Sequence, residues 1–146
     1  MNENNLLKLL LLLCIICVCE KINAQNIKFG NVSKEDLVSK VCESDLNAYA
    51  EVLYERGHLE IVFEKNRYVS RLKVFRRIKI YNKNAYHYAN VDIPFNKRTS
   101  RISGLKACTY NLVNGNVLRT KLGSRDVFIE NLIDDRRLKK FALKDI

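Results

Sequence analysis

Beyond position 25, two cysteines and two histidines are the side chains able to act as nucleophile and base: Cys42, Cys108, His58 and His87. A thiol attacks as its thiolate. A helix N-terminus or a neighbouring cation is what normally lowers its pKa enough to form one. Cys42 falls near the end of a predicted short helix, and Cys108 falls inside a predicted strand, so neither is helped in this way. The alternation around His87 places it beside Ala89 and Val91 on the apolar side of its strand, the setting of a structural histidine rather than a base. A cysteine-dependent hydrolase is therefore the weakest reading, and no catalytic residue is assigned. The four residues lack C-x-x-C or H-x-x-x-H spacing, so no metal site is expected. Neither G-x-x-x-x-G-K nor G-x-G-x-x-G occurs, so no phosphate loop and no cofactor are expected. Pairing of Cys42 with Cys108 stays open, a buried free thiol being the plainer alternative.

The other chemistry written into the chain is charge. Lys73, Arg77 and Lys79 share one face of a predicted strand, with Phe75 and Tyr81 between and after them. Cations interleaved with aromatic rings can bind a polyanion, the cations meeting phosphates or carboxylates and the rings stacking on sugars or bases. Lys97, Arg98 and Arg101 make a second basic group, and Arg136, Arg137, Lys139 and Lys140 a third. The competing reading is a solvated face whose charge aids solubility and guards a sheet edge.

The N-terminus decides which polyanions such a face would meet. Leu9–Cys19 is an unbroken apolar run of eleven residues with Lys8 before it and Asn23-Ala24-Gln25 after it. A membrane-spanning helix needs roughly 20 apolar residues. The shorter run, ending at a small residue, has the layout of a cleavable signal peptide over residues 1–24, with the cut between Ala24 and Gln25. An uncleaved anchor, or a lipoprotein acylated at Cys14, Cys17 or Cys19, is the alternative. Export makes nucleic acid an unexpected partner, and anionic glycans or lipid headgroups at the envelope the expected ones.

The whole chain has 146 residues, 26 Lys+Arg against 16 Asp+Glu, and net charge +10. The leader is charge-neutral, so residues 25–146 keep the full excess. With 47% hydrophobic residues, five Gly and one Pro, disordered and collagen-like classes are excluded. The length fits one domain.

From Tyr49 onward the hydrophobic period is two, as half-buried strands require. Leu59, Ile61 and Phe63 alternate with Glu60, Val62 and Glu64. Leu72, Val74, Ile78 and Ile80 oppose Lys73, Phe75, Arg77 and Lys79. His87, Ala89, Val91, Ile93 and Phe95 form another alternating set. Ser33 reads as the N-cap of one short helix, about two turns long, with Glu35 and Asp36 in its first turn and Val38 and Val41 on one side. Arg56-Gly57 reads as a break between strands. Asn114-Gly115 reads as a tight hairpin turn, and Asp134-Asp135 as a last turn before Leu138–Leu143. Seven or eight strands after one helix predict an all-β, antiparallel β-sandwich. Because Lys144-Asp145-Ile146 follows directly on a strand, the sandwich is expected to be incomplete at its C-terminal end.

The order of these pieces resembles a family of exported bacterial proteins. Phe29-Gly30-Asn31-Val32-Ser33-Lys34-Glu35-Asp36-Leu37, Ala50-Glu51-Val52-Leu53-Tyr54-Glu55-Arg56-Gly57, Arg76-Arg77-Ile78-Lys79-Ile80-Tyr81, Tyr88-Ala89-Asn90-Val91-Asp92-Ile93-Pro94-Phe95 and Ala107-Cys108-Thr109-Tyr110-Asn111-Leu112-Val113-Asn114-Gly115 carry the resemblance. They are similar to the N-terminal module catalogued as domain of unknown function 3857, which precedes a transglutaminase-like domain. The resemblance implies a non-catalytic β-sandwich over residues 25–146. Its work would be docking to, or presenting substrate to, a transglutaminase-like domain in cis or in trans. The Cys, His and Asp of that second domain have no counterpart here.

Overall fold

The computed structural model describes residues 27–146. The leader and the Ala24–Gln25 junction lie outside the described residues. The short helix α1 spans Glu35–Val38 and is a single turn, not two. Its entry is fixed by a reciprocal pair: the Asp36 amide donates to Ser33 Oγ and the Ser33 amide donates to Asp36 Oδ2, both at 3.1 Å. Four residues bury too little to extend it, and Val38 and Val41 remain exposed.

Seven antiparallel strands follow: β1 (Ala50–Glu64), β2 (Arg67–Ile80), β3 (Asn90–Asn96), β4 (Cys108–Val113), β5 (Asn116–Lys121), β6 (Val127–Asn131) and β7 (Arg136–Ala142). The all-β, antiparallel class with one short leading helix is as the alternation predicts. The strands divide into a β1–β2 hairpin, a β4–β5 hairpin and a three-stranded sheet ordered β3-β7-β6. Pro94 lies on β3, an edge strand, where its missing N–H is tolerated.

The turns explain most of the segmentation. Asn114 and Gly115 have φ of 50° and 75° and close the β4–β5 hairpin, the left-handed pair that a two-residue turn needs. Lys65 and Asn66, with φ of 49° and 64°, do the same between β1 and β2. The break expected at Arg56-Gly57 is not present. Gly57 sits inside β1, directly across from Val74, and the irregularity in this strand is a bulge between Val52 and Tyr54. The alternating set beginning at His87 also splits. Lys83–Ala89 is a 3-10 segment, capped where Asn82 accepts from the Asn84 amide, and the strand starts only at Asn90. His87 is therefore not on a strand face. It lies 3.1 Å from the Asn84 carbonyl and packs against the Tyr88 ring.

The tightest packing lies around the 3-10 segment and β7. Cys42, Ala85, Ala89 and Phe141 are the buried apolar residues among those described. Val91 on β3 and Val127 on β6 both pair with Phe141, and the Leu143 amide donates to the Ala89 carbonyl at 3.0 Å. Farther on, Asp145 ties the last residues to the β4–β5 hairpin, accepting from Thr120 and Asn111 at 2.6 Å.

Candidate docking surface on the long hairpin

The register of β1 against β2 assigns the two faces of the hairpin. Glu55–Arg76, Gly57–Val74, Leu59–Leu72, Ile61–Ser70 and Phe63–Tyr68 are successive rows of one face. Arg56–Phe75, His58–Lys73, Glu60–Arg71, Val62–Val69 and Glu64–Arg67 are rows of the other. The predicted basic–aromatic residues Lys73, Phe75, Arg77 and Lys79 do share this second face, and Tyr81 follows β2 directly.

That basic face is largely engaged within the chain. The N-terminal segment before α1 lies over its root. Phe29 meets Phe75 edge-on at 6.2 Å between ring centroids, and Tyr54 meets Phe75 at 5.4 Å. Arg77, its side chain only 15% exposed, lies 3.5 Å from Asp36 and donates to the carbonyls of Lys28 and Asn31. The positive φ of Gly30, 89°, turns the segment between those two carbonyls. Lys79 sits over the Tyr81 ring at 5.3 Å. The Tyr81 hydroxyl donates to Glu51 Oε2 at 2.7 Å, and burial followed by that carboxylate pushes the phenol's pKa upward.

Toward the tip the same face is laced with cross-strand pairs. Glu60 accepts Lys73 at 2.8 Å and Arg71 at 3.4 Å, while Arg71 also pairs with Glu64. The Lys73 hydrogen bond, opposed by partial desolvation, holds the Glu60 carboxyl below its ordinary pKa. Several members of the two other basic groups are likewise met by acids or carbonyls. Lys97 and Arg98 pair with Asp135, Lys140 with Glu130 at 2.9 Å, and Lys139 donates to the Ile102 carbonyl at 2.9 Å.

The opposite face of the tip is the unexpected surface. Leu59, Ile61, Phe63, Tyr68, Leu72 and Val74 are between 61% and 79% exposed. The alternation that ordinarily marks a core-facing side here marks a side that stands in solvent. Sequence reasoning identified the alternation but not which of its two sides would be covered.

Cys42 and Cys108 form no disulfide among the described residues. Cys42 is buried with its Sγ 3.1 Å from Ser44 Oγ, and Cys108 is half-buried on β4. His58 lies on the polar side of the hairpin, 3.8 Å from Glu60. Neither thiol has a histidine among its hydrogen-bond partners. Burial raises the pKa of the neighbouring Tyr110 phenol. Its hydroxyl and Thr109 Oγ1 are buried without a hydrogen-bond partner among the described residues. No helix among the described residues is long and apolar enough to cross a membrane. Comparison with family models, with curated proteins and with solved structures found no match for the chain.

Proposed function

We propose that this chain is an exported, non-catalytic β module that works by docking to a folded protein through the apolar face of the β1–β2 tip. The observation that carries the reading is the six-residue apolar face from Leu59 to Val74, left open while Arg71 and Lys73 on the face behind it are paired with Glu60 and Glu64. An exposed, contiguous apolar patch is characteristic of protein contact surfaces. The companion suggested by the sequence resemblance is a transglutaminase-like domain, in cis or in trans, to which the module docks or presents substrate. The signal-peptide layout of residues 1–24 supports work outside the cytoplasm. Binding of an anionic glycan or lipid headgroup through Lys73, Phe75, Arg77, Lys79 and Tyr81 has less support. That mode needs free cations, and Arg77 and Lys73 are held by Asp36 and Glu60.

A photo-crosslinking residue at position 72, compared with one at position 73 on the opposite face, tests the docking reading in the source cell's envelope. Position 72 is expected to capture a defined protein containing a transglutaminase-like domain, and position 73 to capture none. Equal capture from both faces would contradict it.

A further inference from the structure

The apolar face of the hairpin tip has the size, neutrality and shape to accept a copy of itself. Its rows run from Gly57–Val74 to Phe63–Tyr68, which at ~3.4 Å per residue is about 20 Å of strand. Side chains of these kinds present on the order of 150–200 Å2 each. At the observed exposures the open apolar area is roughly 600–800 Å2, close to the amount that each partner contributes to a standard stable interface.

No charged residue lies within these rows. The nearest on this face is the Glu55–Arg76 pair at one end, and beyond the other end comes the Lys65-Asn66 turn. Covering the face therefore buries no unpaired charge. The face is also tapered. Phe63 and Tyr68, with ring centroids 5.0 Å apart, fill one end, while Gly57 beside Val74 leaves the other end shallow. A two-fold axis that lays two hairpins antiparallel sets the bulky end of each over the shallow end of the other. A lipid surface fits less well. Among the described residues, both outer edges of this two-stranded sheet carry backbone groups outside any ladder, and such groups are costly to bury in hydrocarbon.

We infer that the apolar face of the β1–β2 tip is a homodimer interface, in which two copies of the chain stack hairpin on hairpin as a four-stranded, two-layer sandwich. The layers would lie about 10 Å apart, the spacing of packed sheets. The inference rests on the docking reading and names the occupant of that face when no other partner is present. A companion domain then acts by displacing one copy.

Sedimentation velocity of the purified chain over a concentration series, together with binding of the apolar dye anilinonaphthalene sulfonate, tests it. The native chain is expected to dimerise at micromolar concentration. The double variant Ile61→Glu/Leu72→Glu is expected to weaken dimerisation on the order of 100-fold, and Lys73→Gln, on the opposite face, to leave it intact. Ile61→Ser/Leu72→Ser gives the same direction without added charge, and far-UV circular dichroism checks that each variant keeps its strands. A native dimer unaffected by both double variants would overturn the inference. A native monomer that binds the dye, with binding lost in the double variants, would overturn the homodimer but leave the docking reading standing. A native monomer that binds no dye would overturn both.

Discussion

The root and the tip of the β1–β2 hairpin are written in the same alternating code, but only the root is covered. At the root, the side carrying Phe75 and Arg77 is turned inward, because Phe29, Asp36 and two backbone carbonyls lie over it. At the tip, nothing among the described residues covers either side. The charged side links Glu60, Glu64, Arg71 and Lys73 in ion pairs, and the apolar side from Leu59 to Val74 stays open. Alternation specifies that a strand has two unlike faces. Which face becomes interior depends on what the rest of the chain brings to it.

Substitutions can test the contrast, and the root is expected to be the sensitive region. Phe75→Ala removes the ring that Phe29 and Tyr54 share. It should cost about 2–3 kcal/mol, less than a fully buried phenylalanine because the site is half-buried, read from urea unfolding. If Phe75→Ala proved neutral while Leu72→Ala cost as much, the assignment of inside and outside would be reversed. Arg77→Ala frees Asp36 and removes the Arg77 donor from the Asn31 and Lys28 carbonyls, of which Lys28 keeps the Asn31 amide, and should cost about 1–2 kcal/mol. The loss should be accompanied by faster hydrogen exchange in Ser33–Val38, whereas unchanged exchange would detach the N-terminal segment from the root.

Smaller effects sharpen the contrast at the tip. Gly57 lies in extended strand, and a Cβ there would meet Leu72 Cδ1 at an ordinary 3.9 Å. Gly57→Ala should therefore be neutral or stabilising by about 0.5 kcal/mol. A clear loss would restore the turn that the sequence suggested at Arg56-Gly57. The smallest effect concerns Glu60. Because its folded-state pKa is lowered, chiefly by Lys73, its contribution is present above the unfolded value of about 4.3 and disappears as pH falls through the folded value. Lys73→Gln should thus differ from the native chain at neutral pH and converge with it in acid. Divergence that grows as the pH falls would show that Glu60 is not the partner that matters.

Much of the architecture was legible because it rests on local chemistry. Ser33 and Asp36 announce a helix start three residues apart, and Asn114-Gly115 announces left-handed backbone. Both are interactions a few residues long. The Lys65-Asn66 turn was harder to see because it closes a longer hairpin without glycine, while the nearby Gly57 imitates a turn signal inside a strand. The set from His87 to Phe95 misled because a 3-10 segment passes directly into a strand at Asn90, and small or apolar residues recur through both.

The candidate site was legible in composition but not in orientation. The basic–aromatic residues do share a face, as period-two spacing requires. Their engagement depends on Phe29 and Asp36, roughly forty residues earlier, and on carbonyl oxygens, which leave no mark in a side-chain pattern. The open apolar face was invisible for the same reason, since a row of Leu, Ile and Phe on alternate positions normally implies a covering layer.

Carbene footprinting of the dilute chain, read residue by residue along the hairpin, tests the central claim most directly. Leu59, Ile61, Phe63, Tyr68 and Leu72 should label heavily, with Phe75 shielded. Heavy labelling of Phe75 with the other five shielded would contradict it.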